Sequence, residues 1–481
     1  MAFAAGDLRE AGARALQACE LAHEDPSLLA QVCRQLFGVG EARAALDVAN
    51  RLGRLPDAGF PTLAQIAKLL SDSMEPLAGL SMLARARDAG LPPSPGAFYL
   101  EGLNRLYLGE LDRAFEALNS SIGLDPSFAP SYWSLAKLRR QERRGQRIDQ
   151  LESLLTRHSD SHPDAALWLY SLFHELDADD QVGRAWPVLE RAMRARARQV
   201  PYDELLESQL LQRLSGDMSR WAGHALQASG NVDDSPIPVM VVGMPRTGTT
   251  VIEQALCRSR GLHAAGELHD FVQQMRWIAN CPGAPGPDDG LIDAIEPGHL
   301  QELGQRYFTH TVWRARGAAS YSDKWPENYL IQGYALASLP RLRILAIQRD
   351  AMDSCWSNLR EWFGAAYRYS YDIGHVARRQ VAYMQLLDSA CEAFGARVVV
   401  ARYEDFVRSP GTESKRLADA LELPARAEDA AVAPPVVTAS AVQVRGCITD
   451  VNIGAWRRYE RWLGPLQAAL EDARRIPGSP E

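Results

Sequence analysis

The apolar positions of the chain fall into two regimes. From the N-terminus to about residue 225, Ala and Leu recur at helical spacing between charged residues, Arg is frequent, and β-branched runs are scarce. That period predicts helix after helix, each with one apolar face. From Ser235 onward short β-branched runs alternate with helical stretches, the pattern of an α/β unit with a parallel sheet. Ile237 to Val242, Arg341 to Gln348 and Val398 to Val400 are the predicted strands, with a further one expected ahead of Glu267. Val251 to Leu256 opens a helix. Between the regimes lies Ala228-Ser-Gly-Asn-Val-Asp-Asp-Ser-Pro236, polar and Gly/Pro-containing, a poor helix and a good linker. The expected organisation is a helical unit over 1–227, a linker at 228–235 and an α/β unit over 236–481.

The helical regime carries a repeat. Phe98 to Pro126 reads FYLEGLNRLYLGELDRAFEALNSSIGLDP. An aromatic stands at Phe98, and the small Gly102 sits where two helices must approach closely. Leu108-Gly109 ends the first helix with a glycine cap. Ala114 and Leu118 fill the inner face of the second helix, and Asp125-Pro126 closes the unit. A period of about 34 residues places Tyr132 and Ala136 as the matching aromatic and small residue of a following unit. FGVGEARAALDVANRLG and MEPLAGLSMLARARDAG each read as the second helix of a degenerate unit. The segment resembles the tetratricopeptide repeat, which implies three to five units in an all-α solenoid, one of them clear.

Composition narrows the function classes. With 481 residues, more than one domain is expected. Hydrophobic residues make up 46% and charged residues 23%, an ordinary globular balance. The net charge of −8 argues against non-specific nucleic-acid binding, yet leaves room for a local basic pocket. The N-terminal stretch is charged from Asp7 onward, so a signal peptide is not expected, nor is a membrane span. The seven cysteines (Cys19, Cys33, Cys257, Cys281, Cys355, Cys391 and Cys447) are scattered and form no CxxC pair. Reduced thiols in a cytoplasmic protein are expected, with no metal site.

The sharpest local signal is Gly243-Met-Pro-Arg-Thr-Gly-Thr-Thr250, between a predicted strand and a predicted helix. Its glycine spacing is that of the GxxxxGK[ST] phosphate loop, with Thr249 in the lysine's place and Arg246 earlier. Gly248 lets backbone approach a phosphate, successive N–H groups and the helix start favour an anion, and Thr249 and Thr250 add hydroxyls. The lysine that reaches a triphosphate's outer phosphates is missing, which suits a nucleotide without a γ-phosphate. Arg349 stands at the carboxyl end of another predicted strand, where open α/β sheets bind ligands. Asp350 is placed to cap the helix that follows, with Asp353 in its first turn.

Pro245-Arg-Thr-Gly-Thr-Thr250 resembles the 5′-phosphosulfate loop of sulfotransferases that use 3′-phosphoadenosine 5′-phosphosulfate (PAPS). Three further segments agree: Ser322-Asp-Lys-Trp-Pro-Glu-Asn328, Arg349-Asp-Ala-Met-Asp-Ser-Cys-Trp-Ser357, and Thr438-Ala-Ser-Ala-Val-Gln-Val-Arg445 followed by Gly454-Ala-Trp-Arg-Arg-Tyr-Glu460. Together with the repeats they are similar to bacterial tetratricopeptide-containing sulfotransferases, relatives of tyrosylprotein sulfotransferases. The resemblance covers about 236–465. It implies an α/β P-loop sulfotransferase fold, a parallel sheet flanked by helices, preceded by the all-α solenoid. It implies PAPS as donor and no metal. Arg246, Thr247, Gly248, Thr249 and Thr250 then hold the 5′ end. Arg349 and Ser357 hold the 3′-phosphate. Tyr403, beside Glu404, lies toward the adenosine, and Arg445 belongs to a segment closing over the nucleotide. Lys324 contacts the bridging oxygen and the sulfonate, with Arg246 completing the cationic pocket.

Sulfuryl transfer needs a base for the acceptor proton and cations for the transferring and leaving oxygens. Glu267, in Leu262-His-Ala-Ala-Gly-Glu-Leu-His269, is the first candidate base, with His263 and His269 as rivals. Leu268 follows it where tyrosylprotein sulfotransferases carry a second glutamate, so the acceptor stays open among tyrosine and other peptide, glycan or small-molecule hydroxyls. The solenoid offers a concave surface for a peptide or protein acceptor, or packs against the neighbouring domain. Two other readings stand beside this one: a P-loop kinase, against which the missing lysine counts, and a repeat adaptor with an inactive nucleotide domain, against which intact Arg246, Lys324, Arg349 and Ser357 count.

Overall fold

The computed structural model describes residues 7–21, 24–138, 145–227, 235–424 and 448–475. Most of the linker segment thus lies outside the described residues, as does Arg445. From Leu8 to Gly223 every regular element is a helix. Neighbours fold back on each other as hairpins: Pro26–Gly38 on Ala42–Leu52, Phe60–Asp72 on Pro76–Asp88, Pro95–Leu108 on Leu111–Leu124, and Ala165–Ala178 on Val182–Gln199. The hairpin at Pro95–Leu124 shows why the repeat pattern takes this form. Gly109 caps its first helix at φ +86°, and a Cβ on Gly102 would lie 2.7 Å from Leu118 Cγ, so only glycine admits the second helix this closely. Ala114 and Leu118 are fully buried between the two, and Tyr132 and Ala136 are buried in the next helix. The N-terminal half is all-helical, consistent with a solenoid.

Five parallel strands follow: β1 (Ile237–Gly243), β2 (Leu262–Gly266), β3 (Ser320–Asp323), β4 (Arg343–Gln348) and β5 (Val398–Arg402). Their order across the sheet is β2-β3-β1-β4-β5. The chain leaves β1 toward one edge and returns across it to the other, so β1 sits at the switch point where such sheets bind ligands. Both faces are covered. Met240, Val242, Ile344 and Ala346 join one hydrophobic cluster, and Val239, Val241, Leu345 and Ile347 another. Alternate residues of one strand thus serve opposite faces, which explains the near-continuous apolar runs.

The first of those clusters does not stop at the sheet. It runs from Ala129 through Trp168, Trp186 and Trp221 to Tyr459 and Ala473. Helix Ala165–Ala178 is buried from Ala165 to Asp177, as its all-round apolar sequence requires. The later helices of the N-terminal half therefore share a core with the α/β unit. The earlier helices have their own, centred on Leu29, Leu36, Val48, Leu63 and Ile66. Among the described residues no helix is long and apolar enough to cross a membrane.

Candidate active site

Every strand delivers one candidate side chain or loop at its carboxyl end. β2 ends before Glu267, β3 before Lys324, β1 in the loop Gly243–Thr250, β4 before Arg349 and β5 before Tyr403. Because the strands are parallel, these ends share one edge of the sheet. In space the order is Glu267, Lys324, loop, Arg349, Tyr403. Four inter-strand spacings make roughly 19 Å.

The loop is shaped by two left-handed residues, Arg246 at φ +67° and Gly248 at φ +103°. At Gly248 a Cβ would fall 2.3 Å from Tyr403 Cδ2, so conformation and space both demand glycine. The helix Thr249–Ser259 starts there, and Thr249 and Thr250 face an open cavity of about 1040 Å³, solvent at its mouth included. Thr247 does not line it. Its Oγ1 donates to the Met244 carbonyl at 2.7 Å and closes the loop on itself.

Among the described residues the cavity wall carries Lys137, Arg246, Arg258, Arg349 and Arg360 against one carboxylate, Glu361. A chain with a net charge of −8 thus concentrates cations at one point. Glu361 is 2% exposed and its Oε2 lies 2.5 Å from Lys137 Nζ and 3.2 Å from Arg246 Nε. Burial works against its charge, but Lys137 and then Arg246 outweigh burial and hold its pKa below the ordinary carboxylate range. Burial lowers the pKa of Arg246, opposed by Glu361. His174, from helix Ala165–Ala178, also lines the cavity, its Nε2 2.9 Å from the Arg360 carbonyl.

Arg349 and Ser357 share this wall. Arg349 donates to the carbonyls of Arg246 at 3.0 Å and Asn452 at 2.7 Å, and stacks over the Tyr403 ring at 4.6 Å. Its Nε is buried without a hydrogen-bond partner, an unspent donor. Asp350 caps the following helix by accepting from Asp353 N at 3.0 Å, as expected from the sequence. Asp353 accepts from Gly454 N at 2.6 Å and Trp456 N at 3.4 Å, fastening the C-terminal segment beside Arg349. Glu404 turns away and accepts from Asp350 N at 2.9 Å.

Glu267 and Lys324 lie outside that cavity's lining, on the β2–β3 side. They touch each other: Lys324 Nζ donates to Glu267 Oε1. Backbone fixes both, since Lys324 N donates to the Gly266 carbonyl at 2.8 Å. Asp323 sits beneath, accepting from Leu268 N at 3.2 Å and Tyr307 Oη at 3.0 Å. Burial pushes its carboxyl up to about 7, against the Tyr307 hydrogen bond. Of the rival bases, His269 is half-buried edge-on to Trp325, its pKa lowered by burial with Glu267 opposing. His263 is lowered by burial and then by Arg316.

Residues 238–428 match the model of the Sulfotransferase family. The chain carries a sulfotransferase-family domain. An uncharacterised protein of Aquifex aeolicus (strain VF5) is 23% identical over 385 residues, 78% of this chain and 50% of that protein. The chain therefore spans about half the length of that relative. Among solved structures, the sulfotransferase domain from the curacin biosynthetic pathway is 15% identical, covering 50% of this chain and 96% of that one at a TM-score of 0.31. STF9, a sulfotransferase of Mycobacterium avium, is 14% identical, covering 66% and 87% at a TM-score of 0.27.

Sequence reading missed Lys137, His174, Arg360 and Glu361 in the sulfotransferase domain's cavity. Lys137 and Glu361 are 224 positions apart, and nothing in a helical period marks one polar position as the partner of another so distant. The only signal was local: Arg360 and Glu361 come three and four residues after Ser357.

Proposed function

We propose that the chain transfers the sulfuryl group of PAPS to an acceptor hydroxyl, with Glu267 as base. The observation that carries this is the order along the sheet edge. Anion-binding groups occupy the β1 and β4 ends, an aromatic the β5 end, and a carboxylate–ammonium pair the β2 and β3 ends. The donor set fits such a nucleotide. Gly248 opens backbone at a helix start, Arg349 keeps an unspent buried Nε–H, and five cations face the cavity against one carboxylate. Arg246, Gly248, Thr249 and Thr250 would hold its 5′ end, Arg349 and Ser357 its 3′-phosphate, and Tyr403 the adenosine side. When bound, PAPS supplies the group to be transferred.

The chain's own residues then divide the work. A Glu267 carboxylate oxygen takes the proton of the acceptor hydroxyl. Lys324 Nζ, in contact with that carboxylate, turns its N–H groups to oxygens on which charge accumulates, and Arg246 completes the cationic pocket. Asp323 holds the turn bearing Glu267 through Leu268 N. The helical half, read as tetratricopeptide-like units over 1–227, presents a peptide or protein acceptor to this edge.

Separate calorimetric titrations with the product nucleotide adenosine 3′,5′-bisphosphate (PAP) and with Mg-ATP test the donor. PAP binding without Mg-ATP binding supports the reading, and the reverse result sinks it. PAP binding without turnover on any acceptor favours an adaptor with an inactive nucleotide domain.

A further inference from the structure

We infer that the helical half completes the nucleotide site: Lys137 is a positioning residue that, through a shared Glu361 carboxylate, sets where the Arg246 guanidinium points. This rests on the PAPS reading above. Lys137 belongs to helix Ala129–Leu138, far in sequence from the sulfotransferase segment, yet lines the same cavity as Arg246, Arg349 and Ser357. It is held there. Its ammonium sits 5.2 Å from the Trp133 ring one helical turn earlier, and its side chain is 10% exposed. Trp133 in turn packs edge-on against His174, also in the wall, at 5.2 Å.

Among the described residues Glu361 is the only carboxylate in that lining, and it has two cations on one oxygen, Lys137 Nζ at 2.5 Å and Arg246 Nε at 3.2 Å. The sharing matters. A carboxylate facing Arg246 alone can take the guanidinium in two parallel hydrogen bonds, which uses the N–H groups a phosphate needs. With Lys137 on the same oxygen, Glu361 meets Arg246 at Nε as an ion pair and does not take it in that two-bond fork. Lys137 also offsets the buried negative charge that Glu361 would otherwise set against an anionic ligand. The shared hydrophobic core from Ala129 to Ala473 keeps this contact registered, so the helical half cannot shift without moving a charge in the site.

The test uses the full chain and PAP as probe. Lys137→Ala and Lys137→Met (which keeps the apolar stem on Trp133) are compared with Lys137→Arg and Glu361→Gln, with melting temperature confirming the fold of each. Losing the Lys137 charge is expected to weaken PAP binding about tenfold or more. Donor KM rises more than kcat falls, and Lys137→Arg recovers most of the loss. Glu361→Gln is the sharper arm. Removing a negative charge should tighten anion binding if only net charge counts, whereas loss of the tether on Arg246 weakens it. Wild-type affinity in folded Lys137→Met, or tighter PAP binding in Glu361→Gln, overturns the inference while leaving the donor assignment standing. A wild-type chain that does not bind PAP overturns both.

Discussion

Gly248→Ala tests the loop geometry, because two separable costs meet at that residue. The backbone stands at φ +103°, where an L side chain costs about 1–2 kcal/mol or slightly more. The new methyl would also fall 2.3 Å from Tyr403 Cδ2 and 2.6 Å from Cε2, inside any real contact. Relieving such an overlap in a packed site costs about 1–3 kcal/mol. The sum is about 2–5 kcal/mol, a large part of a typical stability. Denaturant unfolding of the wild type, Gly248→Ala, Tyr403→Val and the double variant separates the two parts. With the ring removed, only the torsional cost of about 1–2 kcal/mol should remain, so the pair should show a coupling of about 1–3 kcal/mol. Equal cost of Gly248→Ala in both backgrounds would refute the packing of Tyr403 on the loop. No cost in either would refute the left-handed backbone itself.

Two further outcomes follow from the site. Arg349→Ala removes charge-assisted hydrogen bonds and the unspent Nε donor, so PAP affinity should fall by about ten- to a hundredfold in calorimetry, with Glu267 and Lys324 untouched. Asp323 gives a pH signature. Its folded pKa of about 7 lies above the ordinary value of 3.8, so its contribution to stability is fully present below 3.8 and is lost as pH rises through 7. That loss amounts to at most about 4 kcal/mol. Asp323→Asn cannot ionise and can still accept from Leu268 N, so its stability should fall less than the wild type's between pH 4 and pH 8 in parallel denaturant titrations. A variant whose pH profile overlays the wild type's would exclude a raised Asp323.

The strands legible in sequence were those whose β-branched runs serve both faces of the sheet: β1, β4 and β5, with β2 expected ahead of Glu267. β3 carried no such signal. Ser320-Tyr-Ser-Asp323 is short and polar, and is a strand because β1 and β2 flank it and because Thr311, Glu253 and Tyr307 pair with the buried Tyr321, Ser322 and Asp323. Gly102, Gly109 and Gly248 were readable because each answers a local demand of close approach or positive φ. Spacing does not say which of the three neighbouring hydroxyls faces the cavity, and Thr247 turns its own to the Met244 carbonyl. Nothing in the apolar composition of Ala165–Ala178 says that its core is the one under the sheet. Partnerships across the whole fold, Lys137 with Glu361 above all, leave no local pattern at all.

The central claim is that the sheet edge performs sulfuryl transfer with Glu267 as the base. The most direct measurement incubates radiolabelled PAPS and host lysate with the wild type and with Glu267→Gln, after both have been shown to bind PAP. The account predicts label transferred to an acceptor by the wild type, and transfer slowed by about 10²- to 10⁴-fold in the variant at unchanged PAP affinity. Undiminished transfer by Glu267→Gln would move the base to His263 or His269. No transfer by a wild type that binds PAP would contradict the account.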